Sequence, residues 1–240
     1  QMEIGSIEQP HETAANLEMR LLYGSYPEVV LTRDIKRRQL LLRELVNSYL
    51  FKDIFQLEGI RKPDNISRLV QLLAFQNGKE ASSTELGTQL GMSKNTVDKY
   101  LDLLEKSFVI HHLSGFSRNL RKEISKNRRY YFWDNGIRNA VINNFNPLDL
   151  RNDAGVLWEN YIIGERIKRN EYSGRFVDSY FWRTYDRKEI DLVEAHGNEL
   201  HGYEIKWGEK PVRQPKDWAR NYPESTFQVI NRRNYLSYIL

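Results

Sequence analysis

The stretch Glu189-Ile190-Asp191, followed after a turn by Tyr203-Glu204-Ile205-Lys206, decides the fold of the C-terminal part of this chain. Both segments have strand composition, and Gly197-Asn198 between them is a turn signal typical of a hairpin. Side chains alternate between the two faces of a strand, so Glu204 and Lys206 point to the same face. We therefore expect Asp191 and Glu204 on adjacent antiparallel strands, with Lys206 beside them.

Two carboxylates and an ammonium in one place suit a magnesium ion held against a phosphate. Mg²⁺ prefers oxygen ligands and keeps several waters, and a lysine can orient an attacking water or stabilise developing negative charge. Upstream, residues 156–165 form a predicted buried helix whose Glu159 supplies a third carboxylate. The sequence thus predicts a site in which Asp191, Glu204 and Glu159 bind metal and Lys206 assists catalysis. Alternating charges on a hairpin are also typical of a solvent-exposed face, and that alternative stays open here.

The middle of the chain has the pattern of a helix-turn-helix followed by a hairpin. Ser82-Ser83-Thr84-Glu85 reads as a capping box, and Gly91-Met92-Ser93 as a tight turn before a second helix. The runs 108–110 and 129–132 have strand composition and are expected to pair as the wing of a winged helix.

Two groups of side chains in this region are candidates for binding nucleic acid. The second helix of such a unit enters the major groove, and basic residues neutralise phosphates. The candidates on the helix are Lys94, Asn95 and Lys99, and those on the wing are Arg118, Arg121, Lys122, Lys126, Arg128 and Arg129. The alternative is a solvated basic loop or a surface for an acidic partner protein, and Asp98, Asp102 and Glu105 on the helix oppose phosphate binding.

Helical periodicity dominates the N-terminal quarter. Helices are predicted over residues 12–23 and from Asp34 to about Leu57, the second with an apolar stripe and basic residues outside it. This lead-in is expected to pack as an amphipathic helix or to dock on a partner. All five tryptophans lie after residue 132, which predicts the larger apolar core in the C-terminal half.

The order of elements after residue 150 resembles that of the PD-(D/E)XK nuclease superfamily. Several separate phrases, in order along almost the whole chain, are similar to the C-terminal region of a family of predicted bacterial AAA-type ATPases. They are Tyr26-Pro-Glu-Val-Val30, Gly136-Ile-Arg-Asn139, Trp158-Glu-Asn160, Phe181-Trp-Arg-Thr184, Glu189-Ile-Asp191 and Glu204-Ile-Lys-Trp207.

This resemblance implies a mixed α+β or α/β architecture with three parts. They are a helical lead-in (1–62), a winged helix-turn-helix (63–147) and a PD-(D/E)XK nuclease-like mixed sheet flanked by helices (148–240). By position, Asp191 and Glu204 match the superfamily's metal carboxylates, Lys206 its catalytic lysine and Glu159 its helical acid. The implied function is DNA binding with Mg²⁺-dependent phosphodiester cleavage. The alternative is a non-catalytic nucleic-acid-binding or protein-interaction module that regulates an ATPase.

The resemblance also implies a P-loop ATPase domain in a longer parent protein. No Gly-x-x-x-x-Gly-Lys-Ser/Thr occurs in this chain, and Gly78-Lys79 is the nearest approach. ATP is therefore expected to act only through that other domain, which would also be a partner of this region.

The amino-acid composition excludes several classes of protein and of metal site. The absence of cysteine excludes disulfides and thiolate metal sites, and it is typical of a reducing cytoplasm. No apolar run approaches the ~20 residues that cross a bilayer. A net charge of +4 is compatible with nucleic acid as a partner. We expect a cytoplasmic protein without a membrane partner, and the sequence leaves its oligomeric state open.

Overall fold

The structure is a computed structural model that describes residues 16–48, 63–117, 128–184, 186 and 188–240. In these residues the chain is a mixed α+β protein with ten α-helices and one seven-stranded sheet. The helices are α1 Leu17–Tyr23, α2 Pro27–Leu31, α3 Ile35–Leu45, α4 Pro63–Phe75, α5 Ser83–Leu90, α6 Lys94–Lys106, α7 Asn135–Val141, α8 Ala154–Tyr172, α9 Lys216–Asn221 and α10 Tyr235–Ile239. The strands are β1 Glu80–Ala81, β2 Ile110–Gly115, β3 Arg128–Phe132, β4 Asp178–Arg183, β5 Glu189–His196, β6 Glu199–Ile205 and β7 Thr226–Ile230.

In the helical lead-in, both stretches predicted as helices, 12–23 and Asp34 to about Leu57, are helical over their described parts. The described part of the first helix is α1, since residues 12–15 lie outside the described range. Asp34 caps α3 by accepting a hydrogen bond from the Arg37 backbone N–H at 2.7 Å. Helix α3 continues as a π-helical turn to Ser48, and the rest of the stretch predicted to reach Leu57 lies outside the described residues.

Helices α5 and α6 begin where local capping chemistry predicts. Ser82 accepts a hydrogen bond from the Glu85 backbone N–H, and Ser93 accepts one from Thr96, both at 3.2 Å. Gly91 closes α5 in the left-handed conformation, with φ +67° and ψ +34°. The two helices therefore follow each other across a short turn, as expected from the sequence.

One continuous sheet runs through the described residues in the order β1-β3-β2-β4-β5-β6-β7. Neighbouring strands are antiparallel except for β2 with β4 and β6 with β7. The short parallel pairing of Ser114 with Tyr180 and Gly115 with Phe181 joins the first three strands to the last four. The hairpin of β5 and β6 forms as predicted, with the turn at Gly197 at φ +59°.

Strand β2 starts later than the sequence predicts. The run 108–110 was expected to pair, but β2 begins only at Ile110, which lies opposite Phe132. Phe108 has φ +53°, a left-handed backbone conformation that cannot continue a strand, and its side chain is 72% exposed.

Asn160 fixes α8 against β3. Its side-chain oxygen accepts the Phe132 N–H, and its amide nitrogen donates to the Phe132 carbonyl and to Asn135, all at 2.8 Å. Asn160 is buried, so this bridge satisfies backbone groups that water does not reach. The bridge sets the position of the neighbouring Glu159 relative to the sheet.

Two large apolar cores lie in the described part of the chain. The larger one is built by residues between Leu22 and Val141, around Leu42, Leu69 and Ile110. The second surrounds Trp158, Leu192 and Ile230. The prediction that the tryptophans mark the larger core is therefore wrong, because many Leu, Ile and Val side chains of the helical half bury together.

No described helix combines the length and the apolar character that spanning a bilayer requires.

Candidate functional site

The hairpin brings Asp191 of β5 and Glu204 of β6 to one ammonium group. Lys206 Nζ lies 2.7 Å from Glu204 Oε1 and 3.5 Å from Asp191 Oδ2. Asp191 Oδ2 also accepts the Ile205 backbone N–H at 2.7 Å, which holds this carboxylate against the neighbouring strand. Asp191 and Glu204 are buried, whereas the Lys206 side chain is 40% exposed. The ammonium is thus the group of the three most open to solvent.

Glu159 of α8 lies at the edge of this cluster. Tyr131 of β3 donates a hydrogen bond to Glu159 Oε1 at 2.8 Å. Burial, followed by repulsion from Asp191, raises the pKa of Glu159 to about 8. The structure therefore brings together all four residues predicted to form the catalytic site, in an arrangement that we call the acid cluster: Glu159, Asp191, Glu204 and Lys206.

Arg129 of β3 places a second cation beside the carboxylates of the acid cluster. Its guanidinium donates to Glu189 Oε2 at 2.6 Å, lies 3.9 Å from Asp191 Oδ1, and sits over the Phe181 ring at 4.5 Å. The side chain is only 6% exposed. This position differs from the predicted surface contact with phosphate, because burial and ion pairing direct Arg129 to the carboxylates.

The acid cluster carries more carboxylates than neighbouring cations. Burial and then Asp191 raise the pKa of Glu204 to about 7, and burial also raises the pKa of Asp191 despite its closeness to Lys206. Four acids, including Glu189, face the two cations Arg129 and Lys206. A bound divalent cation would relieve this excess of negative charge.

The donor set fits a hard cation held by two protein carboxylates. Glu204 Oε2 is buried and has no hydrogen-bond partner among the described residues, so it offers a lone pair beside Asp191. In the described part of the chain, no group of three or more His, Asp or Glu side chains is arranged to hold a metal ion. Glu159 therefore lies beside the pair without completing a three-carboxylate ligand set. Two carboxylates with waters and phosphate oxygens are a normal environment for Mg²⁺.

The candidate nucleic-acid residues fall into three groups. Lys94, Asn95 and Lys99 are exposed near the start of α6, and Arg128 is exposed at the start of β3. Arg129 is buried in the acid cluster. The remaining wing residues lie outside the described range: Arg118, Arg121, Lys122 and Lys126.

Each acidic side chain of α6 has a partner within this region. Asp98 contacts the Ser83 hydroxyl, and Glu105 contacts His112. Asp102 pairs with Lys106 at 2.7 Å, one turn further along the helix. Lys106 offsets the charge of Asp102, whereas the neutral Ser83 hydroxyl leaves the charge of Asp98 in place. The repulsion that the sequence predicts for a phosphate approaching the helix is therefore reduced at Asp102 and not at Asp98.

The sequence did not identify Tyr131 and Glu189 as members of the site, and it predicted Arg129 to bind nucleic acid on the wing. The available signal was alternation along β3, since Arg129 and Tyr131 are two residues apart and share a face, while Arg128 points the other way. Their partners on α8 and β5 are remote in sequence, so local patterns could not identify them.

Two family models match the chain. A domain of unknown function, DUF8612, matches residues 14–148, which is more than half of the sequence. The chain belongs to the DUF8612 family. A second domain of unknown function, DUF4143, matches residues 154–231 and contains Glu159, Asp191, Glu204 and Lys206.

The curated relatives are uncharacterized proteins. One from Mycobacterium tuberculosis is 26% identical over 166 residues, which is 67% of this chain and 36% of that protein. One from Haemophilus influenzae is 27% identical over 74% of this chain and 42% of its own length. One from Methanocaldococcus jannaschii is 25% identical over 81% of this chain and 45% of its own length. The chain thus spans less than half the length of these relatives, and no solved structure matches it.

Proposed function

We propose that this chain binds DNA and hydrolyses phosphodiester bonds with Mg²⁺ at the acid cluster. The observation that carries the proposal is the convergence of Asp191, Glu204 and Lys206, with Glu204 Oε2 lacking a hydrogen-bond partner among the described residues. In this proposal residues 148–240 are a PD-(D/E)XK nuclease-like unit. Its support is a helix and a mixed sheet with an acid pair on two adjacent antiparallel strands and a lysine directly after the second of them.

Each side chain has a distinct role in the proposed reaction. Asp191 and Glu204 would hold the ion, which supplies Lewis-acid polarisation of the phosphoryl group when bound. Lys206 reaches solvent and orients the attacking water toward phosphorus with its N–H groups. The water oxygen forms the new P–O bond while the ester P–O bond breaks. The attacking water gives a proton to solvent, and the leaving ester oxygen takes one from solvent and departs as a hydroxyl group. Glu159, held by Tyr131, would accept a hydrogen bond from a water in the site.

In the same proposal residues 63–147 are a winged helix that holds the duplex. Its support is the capped pair α5 and α6, the β2–β3 hairpin, and the exposed Lys94, Asn95 and Lys99 at the start of the second helix. The chain would work as part of an ATPase, since DUF4143 domains are found in ATPase-associated proteins. ATP would then act through another domain of the parent protein.

One observation favours a second candidate, a non-catalytic module that binds nucleic acid or a partner protein. Lys206 lies between the two carboxylates and partly neutralises them, which is also how a purely structural charge cluster is built. In that case the acids stabilise the hairpin, and the parent ATPase supplies all the chemistry.

Plasmid cleavage with Mg²⁺ or Mn²⁺ separates the two candidates. We expect nicking by the wild type and its loss in Asp191→Ala and Lys206→Ala, while Glu199→Gln at the exposed start of β6 keeps wild-type activity. Equal cleavage by all four proteins would indicate a contaminant and would reject the enzymatic proposal. Salt-dependent DNA binding without any cleavage would favour the non-catalytic module.

A further inference from the structure

A groove lined by aromatic side chains lies away from the acid cluster. Its volume is about 360 Å³, and four of its lining residues are Tyr26, Phe108, Trp133 and Tyr172. We call it the aromatic groove. Phe108 and Tyr172 are 72% and 63% exposed, which is high for such apolar rings. Phe108 also has a left-handed backbone, which is costly for a bulky residue and here leaves its ring at the rim.

The groove is separate from the acid cluster although it uses the same two elements. Trp133 directly follows β3, whose other end carries Arg129, and Lys168 lies on α8 nine residues after Glu159. At 1.5 Å per residue, that spacing along the helix is about 13 Å. A ligand in the groove would therefore not touch the proposed metal carboxylates.

More acidic than basic side chains line the groove, although the net charge of the chain is +4. Asp134 and Glu171 line it together with one cation, Lys168. The Asp134 carboxylate accepts hydrogen bonds from the Ser25 and Ile137 backbone N–H groups, so Glu171 is the carboxylate that a ligand can pair with. The Lys168 ammonium is neutralised by Glu165, 3.0 Å away, and donates to the Trp133 carbonyl at 3.1 Å. Glu171 is exposed and has no ion-pair partner among the described residues. The groove therefore offers carboxylate charge to an incoming group.

Aromatic faces and carboxylates together select organic cations. A guanidinium or ammonium is attracted to the negative face of an aromatic ring within about 6 Å. The Trp133 ring already has the Lys168 ammonium 5.9 Å from its centroid. Phosphate groups would be repelled by Asp134 and Glu171, so the same charges disfavour nucleic acid.

We infer that the aromatic groove binds a basic side chain, an arginine or lysine presented by an extended segment of a partner protein. Glu171 pairs with the cation, and Tyr26, Phe108 and Tyr172 surround its alkyl stem and charged head. The open rim favours a segment of a larger partner over a small molecule, because small ligands are usually enclosed on most of their surface. This inference does not depend on the proposed nuclease activity.

A peptide titration followed by ¹H–¹⁵N spectra tests the inference. The probe is acetyl-Gly-Gly-Arg-Gly-Gly-amide, and the control peptide carries citrulline, which has nearly the same shape without the charge. The readout is the Trp133 indole N–H signal, assigned by its loss in Trp133→Phe. We expect a saturable shift with the arginine peptide and none with the citrulline peptide at equal concentration.

Substitutions at the exposed rim report on the contacts without disturbing the core. Glu171→Gln and Tyr172→Ala should each weaken peptide binding by about two- to fivefold, as exposed ion pairs and cation–π contacts do. Glu224→Gln, an equal charge change on another exposed surface, should leave binding unchanged. Unchanged affinity in both rim variants, or equal binding of the two peptides, would overturn the inference. So would binding of free argininamide as tight as that of the peptide, or displacement of the peptide by oligothymidylate.

Discussion

Glu204→Gln should stabilise the metal-free protein at pH 8 and at the same time weaken its binding of divalent cations. The carboxylate of Glu204 is buried beside Asp191, and among the described residues its direct ion pair is with Lys206. Glutamine keeps the shape of the side chain and removes its charge. The substitution therefore relieves repulsion in the fold and removes a proposed metal ligand.

The size of the stability change follows from the pKa of Glu204. Burial and Asp191 raise this pKa from 4.5 to about 7, and each unit corresponds to ~1.4 kcal/mol. The native state thus holds its proton to higher pH than the unfolded state, so ionisation destabilises the fold as the pH rises. The advantage of glutamine should grow between pH 4.5 and pH 7 and stay constant above. The buried glutamine amide also loses some of its contact with water, which offsets part of this gain. We therefore expect Glu204→Gln to raise the free energy of unfolding by about 1–3 kcal/mol at pH 8.

Urea unfolding with and without Mn²⁺ measures both effects in one experiment. Wild type should gain about 2.7 kcal/mol at a Mn²⁺ concentration 100 times its Kd, and Glu204→Gln should gain much less. Glu199→Gln, on the same strand but exposed, serves as the matched control and should behave as the wild type in both conditions. A variant that is less stable than the wild type at pH 8 without metal, and that gains as much from Mn²⁺, would refute the reasoning.

Four further outcomes are expected. In calorimetric titrations, Mn²⁺ affinity of the wild type should fall at least about tenfold from pH 8 to pH 6, because protons compete for Glu204; equal affinities would contradict a carboxylate site. Arg129→Met should lower the free energy of unfolding in urea by about 3 kcal/mol, since it leaves buried carboxylates uncompensated, and an unchanged midpoint would argue against its ion pairs. Asn160→Ala should cost about 3 kcal/mol in the same assay by leaving the Phe132 backbone groups unsatisfied, whereas a loss below 1 kcal/mol would show that water replaces the bridge. Lys94→Gln should reduce the slope of log K against log salt for DNA binding by about 0.9. The control is Lys106→Gln, which should leave the slope unchanged because Lys106 already pairs with Asp102. Identical slopes for the two variants would show that α6 does not contact DNA.

Local patterns in the sequence predicted those parts of the fold that local chemistry determines. The β5–β6 hairpin follows from two strand-like runs on either side of Gly197, and the helix starts after Ser82 and Ser93 follow from side chains that cap backbone N–H groups within three residues. The same alternation placed Glu204 and Lys206 on one face. These features depend on neighbours within one turn or one hairpin, so the sequence contains the necessary information.

The contacts that complete the site depend on tertiary structure. Tyr131 reaches Glu159 across 28 positions of sequence, and Arg129 reaches Glu189 across 60. Reading Arg129 as a surface residue was reasonable from its basic neighbours, but those neighbours do not show which face of β3 is buried. The pairing of β2 with β4 is remote in the same sense, and no periodicity within either strand indicates it.

The continuous sheet makes the acid cluster a joint product of the two matched domains. Arg129 and Tyr131 belong to the segment that DUF8612 matches, whereas Glu159 and Asp191 belong to the segment that DUF4143 matches. Separation of the chain between residues 148 and 154 would remove a cation and a hydrogen-bond donor from carboxylates whose pKa values burial already raises. It would also break the bridge from Asn160 to the Phe132 backbone. Whatever chemistry the acid cluster performs therefore requires both segments, because the charge balance and the position of Glu159 are set from β3.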